Sequence, residues 1–224
     1  MNPQLLRIIV VAAVLASGTS AALAEQSTPA PSDAEKEAFY ANAIEIRVSD
    51  ILKGLNLTEA AKSNAVHDAL VAQYHALRVR DAAIDTQLKV DGKPVNYENR
   101  APLLAAQNKP LHDQFLAKLS ENLTPEEVEK VKDLMTYNKV KATSDAYALI
   151  VPGLTDADKA KILELLKSAR EEAVDGGSAP EKSAIFQKYK DQINDYLNAN
   201  GHDTVKAFKE WADAHPNTNS PAAK

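Results

Sequence analysis

Tyr74, Arg78, Asp81 and Asp85 recur every three or four residues along one segment, with His67 seven residues before Tyr74. An aromatic ring, a fork-shaped donor and two acceptors in one row are the equipment of a sugar or carboxylate site. The same spacing also lets Arg78 pair with Asp81 one turn on, which would leave the rest as a solvated boundary. His112 and Asp113 could act as a base and its orienting acid only if another helix supplies the reactive partner, because adjacent helical positions point about 100° apart. Without that partner His112 is a surface histidine. Tyr137, Tyr147, Tyr189 and Tyr196 could stack on a saccharide, but Tyr189 sits in an apolar stripe and reads as core. Tyr137 and Tyr147, near helix ends and a loop, read as the better exposed pair. The candidate saccharide set is therefore Tyr74, Arg78, Asp81, His112 and Tyr137, with the tyrosines stacking, Arg78 donating, Asp81 accepting from hydroxyls and His112 lining the rim.

Other chemistry finds little support. There is no Cys, which excludes disulfides, a thiolate metal site and a cysteine nucleophile. No Walker loop, His-Glu-x-x-His, Gly-x-Ser-x-Gly or Gly-x-Gly-x-x-Gly occurs. His67 and His75 are about two turns apart and on different faces, so no metal set is expected, and no cofactor is implied. Glu171, Glu172 and Asp175 oppose the dipole at a helix end, either as a solvated acidic face or as a weak cation site. Gly176-Gly177-Ser178 could present backbone donors to an anion or simply join two helices. Asp81 and Asp85 are the only carboxylate pair offered for polysaccharide cleavage. One turn apart on one helix, they cannot flank a bond from opposite sides, so the non-catalytic reading ranks ahead of an enzyme.

The elements that must position these residues read as helices. Seven Gly, one Trp, seven Tyr and four Phe in a chain of 224 residues with 45% hydrophobic content predict an aliphatic, all-α core. A single-domain bundle of about seven helices is expected over 32–213. Ser32 with Glu35 opens the first helix, which carries Tyr40, Ile44, Val48, Ile51 and Leu55. The second runs from Thr58 to about Thr86, with Val66, Leu70, Leu77, Ile84 and Leu88 on one face. The stretch 89–102, with Asp91-Gly92, Pro94 and Pro102, predicts a turn-rich loop with a small hairpin, and Pro110 starts or kinks the next helix. Thr124-Pro125-Glu126-Glu127 is the clearest helix start, with Leu123 stapled to Val128. Thr155, Ser178 with Glu181, and Asp203 open later helices, and the tail over 214–224 is expected to be disordered.

The first 24 residues join Arg7, an apolar run over 8–16 and Ala22-Leu23-Ala24, which predicts an export signal cut after Ala24. Residues 25–31 read as a disordered spacer. The run is too short for a permanent span, which takes about 20 apolar residues. The expected product is periplasmic or secreted, with no membrane span. Its 31 acidic residues outnumber the basic ones, and no Lys/Arg cluster invites nucleic acid.

The runs Leu111-His112-Asp113-Gln114-Phe115-Leu116-Ala117-Lys118-Leu119 and Leu123 through Tyr137, with Leu154-Thr155-Asp156 and Lys188 through Asn194, resemble an uncharacterised family of secreted bacterial proteins. The resemblance extends from about Phe39 to Trp211. That family is a domain of unknown function for which sugar binding is the only suggested role, so the resemblance implies an oligosaccharide or polysaccharide partner and carries no catalytic residue. The Leu-Thr starts at 57, 123 and 154 also resemble the Leu-Thr-x-x-Gln motif of periplasmic helical chaperones. The fifth position here is Ala61, Glu127 or Asp158. This leaves a chaperone or envelope-stress protein holding unfolded clients as the alternative.

Overall fold

The computed structural model describes residues 32–216, and among them eight α-helices and no strand, against about seven helices expected. They are α1 (Asp33–Leu55), α2 (Ala60–Val90), α3 (Tyr97–Ser120), α4 (Pro125–Met135), α5 (Lys139–Ile150), α6 (Asp156–Val174), α7 (Ala179–Ala199) and α8 (Thr204–Ala214). The export signal over 1–24, the spacer over 25–31 and the tail beyond 216 lie outside the described residues. No described helix is long and apolar enough to cross a membrane.

Caps set most boundaries. Ser32, Thr124 and Thr155 each close a reciprocal capping box with Glu35, Glu127 and Asp158, satisfying backbone N–H groups that a helix start leaves open. Leu123 and Val128 are buried in one cluster, as the staple requires. Two cores result. Apolar faces of α1 to α4 pack around Val48, Leu70, Leu119 and Val131, and those of α5 to α8 around Leu166, Ala169, Ile193 and Leu197. Val174, at the end of α6, belongs to the first core and ties the halves together. The far ends of α2 and α3 share Ile84, Leu88 and Leu104.

The expected hairpin within 89–102 is not formed. Gly92 adopts φ 68° and donates to the Lys89 carbonyl while Lys93 donates to that of Leu88. This is a Schellman stop for α2, so Asp91-Gly92 ends a helix instead of turning a strand. Asn96 then caps α3 by accepting from Asn99 N–H at 3.0 Å. The helix starts at Tyr97, not at Pro110, and continues through Pro102 and Pro110. Proline removes a donor to the residue four back, but Glu98 and Ala106, whose carbonyls lose that donor, are exposed and can use water. Burial of Leu104, Phe115 and Leu119 carries the helix past both.

The α4–α5 joint shows a second stop of the same kind with tyrosine where glycine is usual. Tyr137 has φ 62° and Asn138 φ 54°, and their N–H groups bond the Leu134 and Asp133 carbonyls. A left-handed Tyr costs about 1–2 kcal/mol. Arg47 of α1 offsets this by lying 3.8 Å over the Tyr137 ring and donating to the Met135 carbonyl at 3.1 Å.

Candidate functional site

The buried face of α2 contains two polar residues among its aliphatics, Gln73 and Arg80, each 5% exposed. Arg80 sits where α2, α3 and the α6–α7 joint converge. Its Nε and Nη2 donate to Asp81 Oδ1 at 3.0 and 2.7 Å, and its Nη1 donates to Asn108 Oδ1 at 2.6 Å and to the Asp175 carbonyl at 2.8 Å. Asp175, buried at the end of α6, accepts from Gln73 Nε2 at 3.3 Å and meets His112 Nδ1 at 2.9 Å. Arg100 enters from α3, 3.2 Å from Asp81 and 3.5 Å from Glu181. It also lies 3.0 Å from Asp85, but its Nε and Asp85 Oδ1 are not aligned for a hydrogen bond.

The α6–α7 joint is shaped to this network. Gly177 N–H donates to Glu181 Oε2 at 3.1 Å, so the backbone donor considered for an external anion is used internally. A Cβ on Gly177 would overlap Asp81 Oδ2, with Asp81 Cγ 2.9 Å away. Ser178 caps α7 by accepting from Glu181 N–H. The expected reciprocal box is only half made, because the Glu181 carboxylate turns inward. Lys182 donates to the Ala173 and Val174 carbonyls at 2.8 and 3.1 Å, closing the end of α6.

A second charged group joins this one through Glu171. Lys132 donates to both Glu171 oxygens at 2.9 and 3.0 Å. Arg170 reaches Asp133 at 2.7 Å and Glu171 at 3.1 Å, and both cations also contact Glu129. Glu171 Oε2 in turn lies 4.0 Å from His112 Nε2. Among the described residues, no group of three or more His, Asp or Glu is arranged to hold a metal ion.

Between α3, α6 and α7 these residues border a cleft of about 320 Å³. Ala101, Leu104, Ala105 and Ile185 form its apolar lining, Tyr97, Asn108 and His112 its α3 side, and Glu171, Glu172, Asp175 and Glu181 the opposite side. Glu172 is anchored by Lys188 at 2.7 Å and the Tyr189 hydroxyl at 3.1 Å. The hydrogen bond to Asp175 raises the His112 pKa, against the effect of burial. Burial and the Asp81 charge push the Glu181 carboxyl up, with Arg100 and Arg80 opposing. Burial raises the Tyr97 phenol, helped by the charges of Glu172 and Glu181. The cleft thus offers fixed acceptors, an imidazole able to hold a proton at Nδ1 or Nε2, an amide and an aromatic ring beside apolar surface, which is what binding a small polar ligand requires.

Of the five residues expected to bind saccharide, His112 lines this cleft and Asp81 lies behind it in the same network. Tyr74, Arg78 and Tyr137 lie elsewhere. Arg78 pairs with Glu37 of α1 at 2.7 Å and stacks over Tyr40, so the Arg78–Asp81 pair does not form. The Tyr74 hydroxyl is buried near Arg47 without an aligned partner, and Tyr137 stacks with the same arginine. Tyr147, expected to be exposed, is 2% exposed and donates to Asn194 at 2.8 Å. The acidic end of α6 is no simple solvated face, because Asp175 is buried. Sequence reasoning did not single out Tyr97, Arg80, Arg100, Asn108 or Lys182. The available signal was the pair Gln73 and Arg80, seven residues apart and in register with Val66, Leu70, Leu77 and Ile84.

A family model described as protein of unknown function (DUF3826) matches residues 41–215. The chain belongs to this family. No curated protein matches the chain. The DUF3826 match takes in every residue of the network, from Gln73 to Lys182, and agrees in extent with the resemblance read from about Phe39 to Trp211.

Proposed function

We propose that this DUF3826 protein is exported and binds a saccharide in the cleft between α3, α6 and α7. The observation that carries the reading is the convergence, around one cleft, of an apolar lining with Tyr97, Asn108, His112 and Glu172, the last two held by Asp175 and by Lys188 and Tyr189. A pyranose presents a C–H face suited to a ring and apolar side chains, and an edge of hydroxyls suited to carboxylate, amide and imidazole. Side chains already fixed by their neighbours lose little freedom on binding.

A glycan array followed by calorimetry on the chain from Glu25 onward tests this. Binding to at least one glycan is expected, with Tyr97→Ala and His112→Ala each weakening it about tenfold or more. The alternative, a periplasmic chaperone, draws on Phe39 and Ile46, which are two turns apart on α1 and 76% and 57% exposed. No glycan binding together with suppression of client aggregation would favour that alternative.

A further inference from the structure

We infer that the cleft takes an uncharged, linear oligosaccharide of at least three or four residues, laid lengthwise along α3, and not a single sugar or a disaccharide. This rests on the saccharide reading above and adds the length and charge of the ligand.

The length comes from the helix. Tyr97, Ala101, Ala105, Asn108 and His112 all line the cleft and follow one another at spacings of four, four, three and four, so they form one stripe of α3. Tyr97 and His112 stand 15 residues apart, which is about 22 Å along the axis at a rise of about 1.5 Å per residue. A pyranose in a linear chain covers about one helical turn, roughly 5 Å, so no single ring touches both ends. Ala101 and Ala105 project no further than a Cβ and keep the floor low between the phenol and the imidazole. A volume of about 320 Å³ drawn out over that length is a shallow trough. One face of an extended chain covers it, whereas a compact ligand would leave most of it empty.

Polar atoms are left over at three points along the stripe. Lys188 and Tyr189 both bond Oε2 of Glu172, and no described residue bonds its Oε1. Tyr97 and Tyr189 pack against the same core, which places Glu172 at the Tyr97 end. Partway along, Asn108 Oδ1 accepts from Arg80, and no described residue accepts from its Nδ2. At the far end His112 Nδ1 meets Asp175, while Nε2 lies 4.0 Å from Glu171, too far for a hydrogen bond. Successive hydroxyls of one chain can engage an acceptor, an amide donor and an imidazole in turn. The carboxylates that line the cleft, Glu171, Glu172, Asp175 and Glu181, each already have a donor in place, so no charge is required of the ligand. An acidic sugar would bring a like charge against them.

The test is calorimetry on the chain from Glu25 onward with size ladders of two to six residues. The uncharged probes are β-1,4-linked glucan, xylan and mannan oligomers, together with the same sizes of any further glycan the array returns, and the acidic probes are oligogalacturonides. At least one uncharged series is expected to gain about tenfold or more in affinity between two and four residues. Ala105→Trp, at an exposed position within the stripe, is expected to abolish that gain while the circular dichroism spectrum stays unchanged. Tyr97→Ala and His112→Ala should each weaken the four-residue ligand, while the two-residue ligand responds to no more than one of them. Full affinity already at two residues, or a two-residue ligand weakened by both variants, would overturn the lengthwise inference and leave saccharide binding standing. Oligogalacturonides binding as tightly as the uncharged series would overturn the charge assignment. Silence from every ladder and from the glycan array would overturn both the inference and the reading it rests on.

Discussion

Replacing Gly177 by alanine isolates the fit between the α6–α7 joint and α2. The added Cβ would overlap Asp81 Oδ2, so either the carboxylate swings away or the joint moves. Asp81 receives two hydrogen bonds from Arg80, whose side chain is 3% exposed, and an ion pair from Arg100. Breaking a buried pair by removing one partner costs about 3–5 kcal/mol. Asp81 keeps partial solvent access, so the lower end applies, about 3 kcal/mol. For a domain of this length that is a fall in Tm of roughly 6–12 °C. Urea unfolding followed by circular dichroism should show a lower midpoint with an unchanged slope. Gly153→Ala is a useful contrast. Gly153 has φ 72° with nothing near its Cβ position, so only the left-handed backbone is penalised, by about 1 kcal/mol. In an Asp81→Ala background the obstacle is gone, and Gly177→Ala should then cost under about 0.5 kcal/mol. A single Gly177→Ala variant as stable as the parent, or a loss undiminished beside Asp81→Ala, would refute the steric reasoning.

Three further outcomes follow from the same geometry. Burial, with the positive charge of Arg47, pulls the Lys182 amine down from 10.5 to about 7, so between about pH 7 and 10.5 the unfolded chain holds a proton that the native chain has released, and stability should rise with pH. Lys182→Met should flatten that rise, by at most about 1.4 kcal/mol per pH unit, as read from urea midpoints between pH 7 and 9.5. An identical slope in parent and variant would refute the assignment. Arg170→Met strands Glu129, Asp133 and Glu171, but these are 37–48% exposed and can rehydrate, so the loss should be about 1–3 kcal/mol and not that of a fully buried pair. Thr124→Ala removes the cap on Glu127 N–H and should cost about 1 kcal/mol in the same assay.

The local chemistry of helix ends was legible from the chain. Ser32, Thr124 and Thr155 act through neighbours three residues away, so their capping boxes survive whatever the rest of the chain does. The start of α3 was not legible, because two prolines predict interruption and only packing against α2 keeps the helix whole. Asp91-Gly92 carried a real stop signal, but the same dipeptide serves a hairpin and a helix end, and only the partner chosen by Lys93 N–H decides between them. The candidate site was legible in part. His112 and Asp81 were chosen for their residue types, and both fall in the network. The row reading failed for Tyr74 and Arg78 because α1 packs over them, an event that nothing within α2 announces.

What remains to be explained is why the seam between two aliphatic cores is charged at all. Buried ion pairs seldom stabilise more than well-packed apolar residues of the same volume would, and leucine at 73 and 80 would continue the apolar stripe of α2 without interruption. Stability alone therefore does not account for Gln73 and Arg80. Their partners suggest another reason: Gln73 and Arg80 bond Asp175, Arg80 bonds Asn108, and Asp175 meets His112, all of which line the cleft, while Arg80 also holds Asp81 behind it. Gly177 points the same way, since its missing side chain makes room for Asp81 and its N–H orients Glu181. Leucine at 73 and 80 would remove the donors that hold Asn108 Oδ1 and the Asp175 carboxylate that His112 meets. The charged seam thus fixes Asn108, Asp175 and His112 at the edge of the cleft, the prior ordering that the proposed saccharide site calls for.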